Sequence, residues 1–155
     1  MNIVLLEPEI PHNTGAIGRT CFAVSAALHL IKPLGFSTDE KHLRRTGLDY
    51  WHTLNITYHD SLADFMEYFG RQNGPNLWLT DSSAKLNYTQ AKFKPGDYLM
   101  FGNESGGIPE FLLLSDVKKS LRIPMDGPAR CLNLSVAVGI VLYEALRQND
   151  FLGLD

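Results

Sequence analysis

Short, almost uninterrupted apolar runs constrain this chain more than any other feature. Asn2-Ile3-Val4-Leu5-Leu6 stops at Glu7-Pro8, and Leu28-His29-Leu30-Ile31 stops before Pro33. Asn76 to Thr80, Tyr98 to Phe101 and Leu121 to Pro124 repeat the pattern, and Leu54 to Tyr58 alternates like a short strand. Such runs are too short for buried helices and too continuously apolar for strands that face water on one side. Between them the period changes. Ala16, Ile17, Cys21, Phe22 and Val24 recur at helical spacing, with Asn13 or Thr14 as the expected cap. Lys41 to Leu48 reads as a basic helix, Ser61 caps a helix running to Phe69, and Asn133 to Gln148 is the longest and most apolar helix. Strands alternating with helices predict an α/β fold, a parallel sheet flanked by helices. Ligands in such folds sit beyond the carboxyl ends of the strands. That rule selects three loops: Glu7 to Asn13, Phe101 to Pro109, and Pro124 to Leu132.

The 155 residues suit one domain, expected over 1–155, and the formal net charge of −3 excludes indiscriminate, charge-driven nucleic-acid binding. Two cysteines, Cys21 and Cys131, are too few for a disulfide scaffold and read as reduced thiols. The start of the chain lacks the basic and apolar regions of a signal peptide, and no window reaches the ~18 uncharged apolar residues of a membrane span. A soluble, cytoplasmic protein is the expectation. The five histidines show no metal-ligand spacing, so no metal is expected. The final helix is apolar on nearly every side, so it is either sandwiched in the core or packed against a second subunit, and the small size of the domain favours the second.

Each loop has chemistry to offer. Phe101-Gly102-Asn103-Glu104-Ser105-Gly106-Gly107-Ile108-Pro109 brings glycines that permit close backbone approach, but it lacks the dinucleotide-binding spacing. A purely structural glycine turn is the alternative. Ile123-Pro124-Met125-Asp126-Gly127-Pro128 offers a rigid backbone surface able to hydrogen-bond a flat base. Arg19, one and a half turns after Asn13, presents a planar fork suited to phosphate; a surface arginine paired to a carboxylate is the ordinary alternative.

In order and spacing, Asn13–Arg19, Phe101–Pro109 and Ile123–Ser135 resemble the three motifs of the SpoU-type branch of the SPOUT RNA methyltransferases. Further blocks are similar to the subgroup acting on the wobble nucleotide 34 of tRNA: Val4 to Pro11, Pro33 to Phe36, Leu43 to Tyr50, and Tyr143-Glu144-Ala145 with Arg147-Gln148. The resemblance implies a C-terminal deep trefoil knot that forms an S-adenosylmethionine pocket, although topology rules alone weigh against knots. It implies that Leu79, Gly102, Ile123 and Cys131 line the cofactor site, and that Glu104, Gly107, Met125, Leu132 and Asn133 belong to the same loops. It implies a homodimer through the final helix, with Arg19, Asn13 and Tyr143 near the chemistry. It implies methyl transfer to a ribose 2′-hydroxyl in the anticodon loop of tRNA. RNA contact is then expected from Arg19 and from Lys41, Arg44 and Arg45, a basic face followed by Tyr50 and Trp51.

Three positions depart from the pattern: Cys131 stands where relatives usually carry serine, Ala16 replaces a common asparagine, and Gly106 replaces a larger residue. Methylation of another tRNA or ribosomal RNA site, a catalytically silent RNA-binding dimer and a generic nucleotide-binding domain are the alternatives.

Overall fold

The structure is a computed structural model that describes residues 1–37, 51–115, 119–126 and 131–154. The predicted helix over Lys41 to Leu48, with Arg44 and Arg45, lies outside the described residues. In chain order the elements are β1 (Asn2–Leu6), α1 (Pro11–Ala23), β2 (Ala27–Ile31), β3 (Ile56–His59) and α2 (Leu62–Gly70). Then come β4 (Leu77–Thr80), β5 (Leu86–Asn87), β6 (Tyr98–Phe101), α3 (Glu110–Ser115), β7 (Ser120–Arg122) and α4 (Leu134–Arg147). Short 3-10 turns occupy Trp51–Thr53 and Tyr88–Gln90.

Among the described residues the strands pair in parallel, in the order β3-β2-β1-β6-β4-β7-β5. The period of two along β1 divides the core. Ile3 and Leu5 join Leu28, Leu30, Leu99 and Phe101 under α1 and α4, which supply Ile17, Cys21, Val138, Val141 and Leu142. Val4 and Leu6 face the other way, with Ile31, Leu77, Leu79 and Met100, under α2 and α3. Both faces are covered, which is why the central strands β1, β4 and β6 show no polar alternation.

One local expectation needs correction, and one strand has no signal in the sequence. The first helix begins at Pro11 with Ile10 as its N-cap, so Asn13 and Thr14 lie inside it and neither caps it. Proline fits there because the first helical position has no intrahelical use for an N–H. The two-residue β5 carries too few residues for any periodicity to announce it. Elsewhere local rules hold: Ser61 caps α2 by accepting from the Asp64 N–H at 3.1 Å, and Asn133 caps α4.

One buried polar pair, His29 and His59, lies outside the cavity described below. His29 Nδ1 and His59 Nε2 lie 3.0 Å apart, and His59 Nδ1 is 3.7 Å from an Asp64 carboxylate oxygen. Phe65, Tyr68 and Tyr98 pack around the rings. Burial, followed by the neighbouring His59, pushes His29 down to about 4, and burial also lowers His59 against the pull of Asp64. Below the ordinary histidine pKa the unfolded chain therefore takes up protons that the native pair refuses. Stability should fall as the pH drops from about 6.5 toward 4, by on the order of 1 kcal/mol per unit. Urea midpoints between pH 7 and 5 measure this, and His29→Leu should flatten the slope. An equal slope in the variant would assign the acid sensitivity elsewhere.

Candidate cofactor and RNA site

The carboxyl ends of β1, β4, β6 and β7 open into one cavity of about 880 Å³. Its walls come from the three loops that the strand rule selects: Ile10 and Asn13 from the first, Phe101 to Ile108 from the second, and Met125, Cys131 and Leu132 from the third. A fourth wall, Thr80 to Ser83, follows β4. The same rule applied to the run Asn76 to Thr80 would have found it, because Asp81-Ser82-Ser83 directly follows that strand's carboxyl end.

The residues expected at the cofactor are distributed as follows. Gly102, Glu104 and Gly107 line the cavity from the glycine loop, and Ile123 and Met125 from the segment after β7. Cys131, Leu132 and Asn133 line it ahead of α4. Leu79 does not: its side chain is buried in the core under α2 and α3, and its neighbour Thr80 reaches the cavity instead. Asn13 lines the cavity, whereas Arg19 and Tyr143 are exposed on α1 and α4 and are not part of its wall. The geometry of α1 accounts for the separation. Six residues carry Arg19 about 9 Å along the axis and roughly 240° around it from Asn13, so the two do not border one opening. The cation set Lys41, Arg44 and Arg45 lies outside the described residues.

Glu104 holds the loops together. One carboxylate oxygen accepts the Glu9 N–H at 2.9 Å; the other accepts the Ile10 N–H at 3.3 Å and the Asn13 amide at 3.0 Å. Ile10 offers no side-chain cap, so the negative charge serves the amino end of α1, where it is also favoured by the helix dipole. The Asn13 carbonyl in turn accepts from the Asn133 amide at 2.9 Å. The Asn133 carbonyl takes the Ser135 N–H at 2.9 Å and the Ser135 hydroxyl at 2.7 Å. Glu104, Asn13 and Asn133 thus form a continuous polar chain through three loops, with every amide orientation specified. Asn13 is 5 % exposed and spends both ends of its amide on this chain, which is the work of a positioning group.

The cavity suits a small polar ligand with an apolar portion. Its volume lies within the range of small-molecule sites, and Ile123, Met125 and Leu132 give it apolar surface. The Thr80 hydroxyl is buried at this wall and has no hydrogen-bond partner among the described residues. At Gly102 the backbone of the following turn comes so close that a Cβ would stand 1.9 Å from the Gly107 carbonyl carbon. Gly107 itself has φ +66°. The loop is therefore a tight backbone cradle that these glycines make possible. Among the described residues no group of three or more His, Cys, Asp or Glu could hold a metal, and no helix is long and apolar enough to cross a membrane.

Comparison with known proteins agrees with this geometry. The profile of the SpoU rRNA Methylase family matches residues 1–143. A Geobacillus stearothermophilus protein provisionally named tRNA (cytidine(34)-2′-O)-methyltransferase is 49% identical over 99% of this chain and 98% of its own length. A solved structure described as "Structural insights into the 2-OH methylation of C/U34 on tRNA" is 44% identical, with a TM-score of 0.88 over 97% of this chain and 96% of the other. The SpoU methyltransferase AviRb from Streptomyces viridochromogenes, solved in complex with the cofactor AdoMet, has a TM-score of 0.83 at 25% identity, over 97% of this chain and 61% of its own. With its parallel sheet, its glycine cradle and its sequence matched from the first residue into the last helix, the chain belongs to the SpoU methylase family of RNA methyltransferases.

Proposed function

We propose that the protein transfers a methyl group from S-adenosylmethionine to the ribose 2′-hydroxyl of nucleotide 34, cytidine or a modified uridine, in the anticodon loop of leucine-type tRNAs. The observation that carries this reading is near-full-length identity to proteins named for that reaction, combined with a cavity built by the loops expected to hold the cofactor. In the same reading, residues 1–155 form one cytoplasmic SPOUT domain whose C-terminal part is knotted. In support, α4 packs on α1 and β6, although the strand before it, β7, lies beyond β4.

When bound, S-adenosylmethionine supplies an electrophilic methyl on a sulfonium. The backbone of 102–107, the segment around Ile123 and Met125, Cys131 to Asn133 and the Thr80 hydroxyl would hold it. Holding two reactants in line within a dry cavity accounts for a large share of such a rate. A guanidinium is a poor general base, so the reading gives Arg19 a charge-stabilising role. It binds substrate phosphate and stabilises the alkoxide charge as the proton passes to a phosphate oxygen or water.

Since Arg19 is exposed and absent from the wall of its own chain's cavity, the reading includes a homodimer in which it serves the partner's site. The outer face of α4 supports such an interface. Val136 and Tyr143 are half exposed, Phe22 on the adjoining α1 is 54% exposed, and a Cβ on Gly139 would meet nothing within 4 Å. Glycine in a helix interior costs about 1 kcal/mol, a cost that close approach of a second helix can offset. Tyr143 would then be an interface residue beside the partner's substrate. Lys41, Arg44 and Arg45 would add the remaining grip on RNA, which a chain of net charge −3 cannot supply in bulk.

Incubation with labelled S-adenosylmethionine and total tRNA, followed by mapping of the product by mass spectrometry, tests the assignment. Label on the ribose of nucleotide 34 is the expected result. Label elsewhere would move the substrate within the family, and no incorporation into any RNA would remove the enzymatic reading.

A further inference from the structure

The strand-end loops carry a second set of contacts, between Ser105 of the cavity wall and Glu9, which does not line the cavity. While Glu104 accepts the Glu9 N–H, the Glu9 side chain reaches back to the next residue of the glycine loop. One of its oxygens accepts the Ser105 hydroxyl at 2.6 Å and the other the Ser105 N–H at 3.1 Å. Two consecutive residues of one loop and one residue of the other therefore hold each other reciprocally, backbone to carboxylate in both directions.

The surroundings make this contact a lever. The backbone of Glu9 packs closely on Gly35, where a Cβ would stand 2.6 Å from the Glu9 carbonyl oxygen, and the Gly35 N–H donates to the Pro8 carbonyl at 2.9 Å. The turn beyond Ser105 is internally closed, with the Gly106 N–H on the Asn103 side chain at 2.6 Å and the Gly107 N–H on the Asn103 carbonyl at 3.1 Å. The tip 103–107 is thus a small rigid flap, and it forms part of the cavity wall. Glu9 does not line the cavity, and the contact is exposed to water, so it contributes little to global stability. Its effect is to fix the angle of the flap.

We propose that Glu9 is a positioning residue that latches the flap through Ser105 and so holds the cofactor wall in its binding geometry. The proposal rests on the cofactor reading above, but the latch itself can be measured without any ligand. Only a closed flap presents the wall, so the apparent affinity scales with the closed fraction.

Amide hydrogen exchange of the free protein and calorimetric binding of S-adenosylmethionine form the test, on wild type, Glu9→Ala, Glu9→Gln, Ser105→Ala and the double variant Glu9→Ala with Ser105→Ala. In Glu9→Ala the Ser105 amide should exchange about tenfold faster or more, with the Gly107 amide unchanged within about twofold. The same variant should bind the cofactor about five- to twentyfold more weakly, with Tm within about 2 °C of wild type. Glu9→Gln, which keeps one acceptor oxygen, should recover part of the affinity. The double variant should bind no more weakly than Glu9→Ala, because both changes remove one contact.

Unchanged exchange at Ser105 would overturn the latch, whatever binds. Faster exchange with unaltered affinity would overturn its positioning role, as would an affinity loss that tracks a fall in Tm. Wild type failing to bind S-adenosylmethionine would sink the cofactor reading and, with it, the flap's role toward that ligand, while exchange would still decide whether the latch exists.

Discussion

Gly102→Ala is expected to abolish S-adenosylmethionine binding at concentrations that saturate the wild type. The added Cβ would lie 1.9 Å from the Gly107 carbonyl carbon, 2.1 Å from its oxygen and 2.4 Å from the Ile108 nitrogen. All three are backbone atoms, so no side-chain rotation relieves the clash. Opening the turn would break the bridge between Asn103 and Gly107 and displace the Ile108 N–H from Asp81. Overpacking of this kind costs about 1–3 kcal/mol or more, and here the whole cost falls on one wall of the cavity. A weakening of about a hundredfold or more in calorimetric titration is expected, with most of the fold retained by far-UV circular dichroism. Gly70→Ala is the control: a Cβ there meets nothing within 4 Å, and the variant should match wild type. Binding by Gly102→Ala within about threefold of wild type would mean the cradle is not the cofactor wall.

Arg19→Ala should lower kcat for tRNA methylation by about 10²–10³, the usual effect of removing one group that stabilises transition-state charge. Cofactor affinity and Tm should hold, because Arg19 is exposed and stands outside the cavity of its own chain. Arg19→Lys should recover little if the planar fork is what matters, since an ammonium cannot grip a phosphate in two places. Near wild-type turnover by Arg19→Lys would remove the requirement for the fork. A rate that rises only close to the pKa of arginine itself would favour a base role instead. If Arg19 serves the partner's site, mixing Arg19→Ala with Gly102→Ala chains should restore activity in the heterodimer, where one intact site can form. Failure of mixed dimers to regain any activity would place Arg19 in service of its own chain.

The strands and the three site loops are legible in the sequence because their signals are local. An apolar run of four or five residues bounded by Pro or Gly reports its own strand, and the carboxyl-end rule then points to the loops beyond it. Cap assignment at α1 misleads because Asn13 is a strong capping residue by type, yet Pro11 sets the start and Asn13 is drawn into the chain of bonds with Glu104 and Asn133. Leu79 illustrates the period of two: one residue separates a core leucine from the Thr80 hydroxyl at the cavity, and the family pattern alone does not choose between them. Glu9 carries no motif of its own. Its partner is 96 positions away, and nothing in the local pattern around either residue announces the contact.

By itself the sequence determined the class of fold, the loops that build the cavity, the family and an acidic balance that forbids bulk attraction to RNA. Periodicity, turn residues and net charge are properties of neighbours or of sums, and they survive without coordinates. Tertiary structure alone decided which side chains meet. Asn13 joins Glu104 and Asn133 across separations of 91 and 120 residues, and Arg19 is exposed and absent from the cavity wall that Asn13 lines. Contacts that distant depend on how the sheet is ordered and how each helix is rotated upon it, and no local rule encodes either.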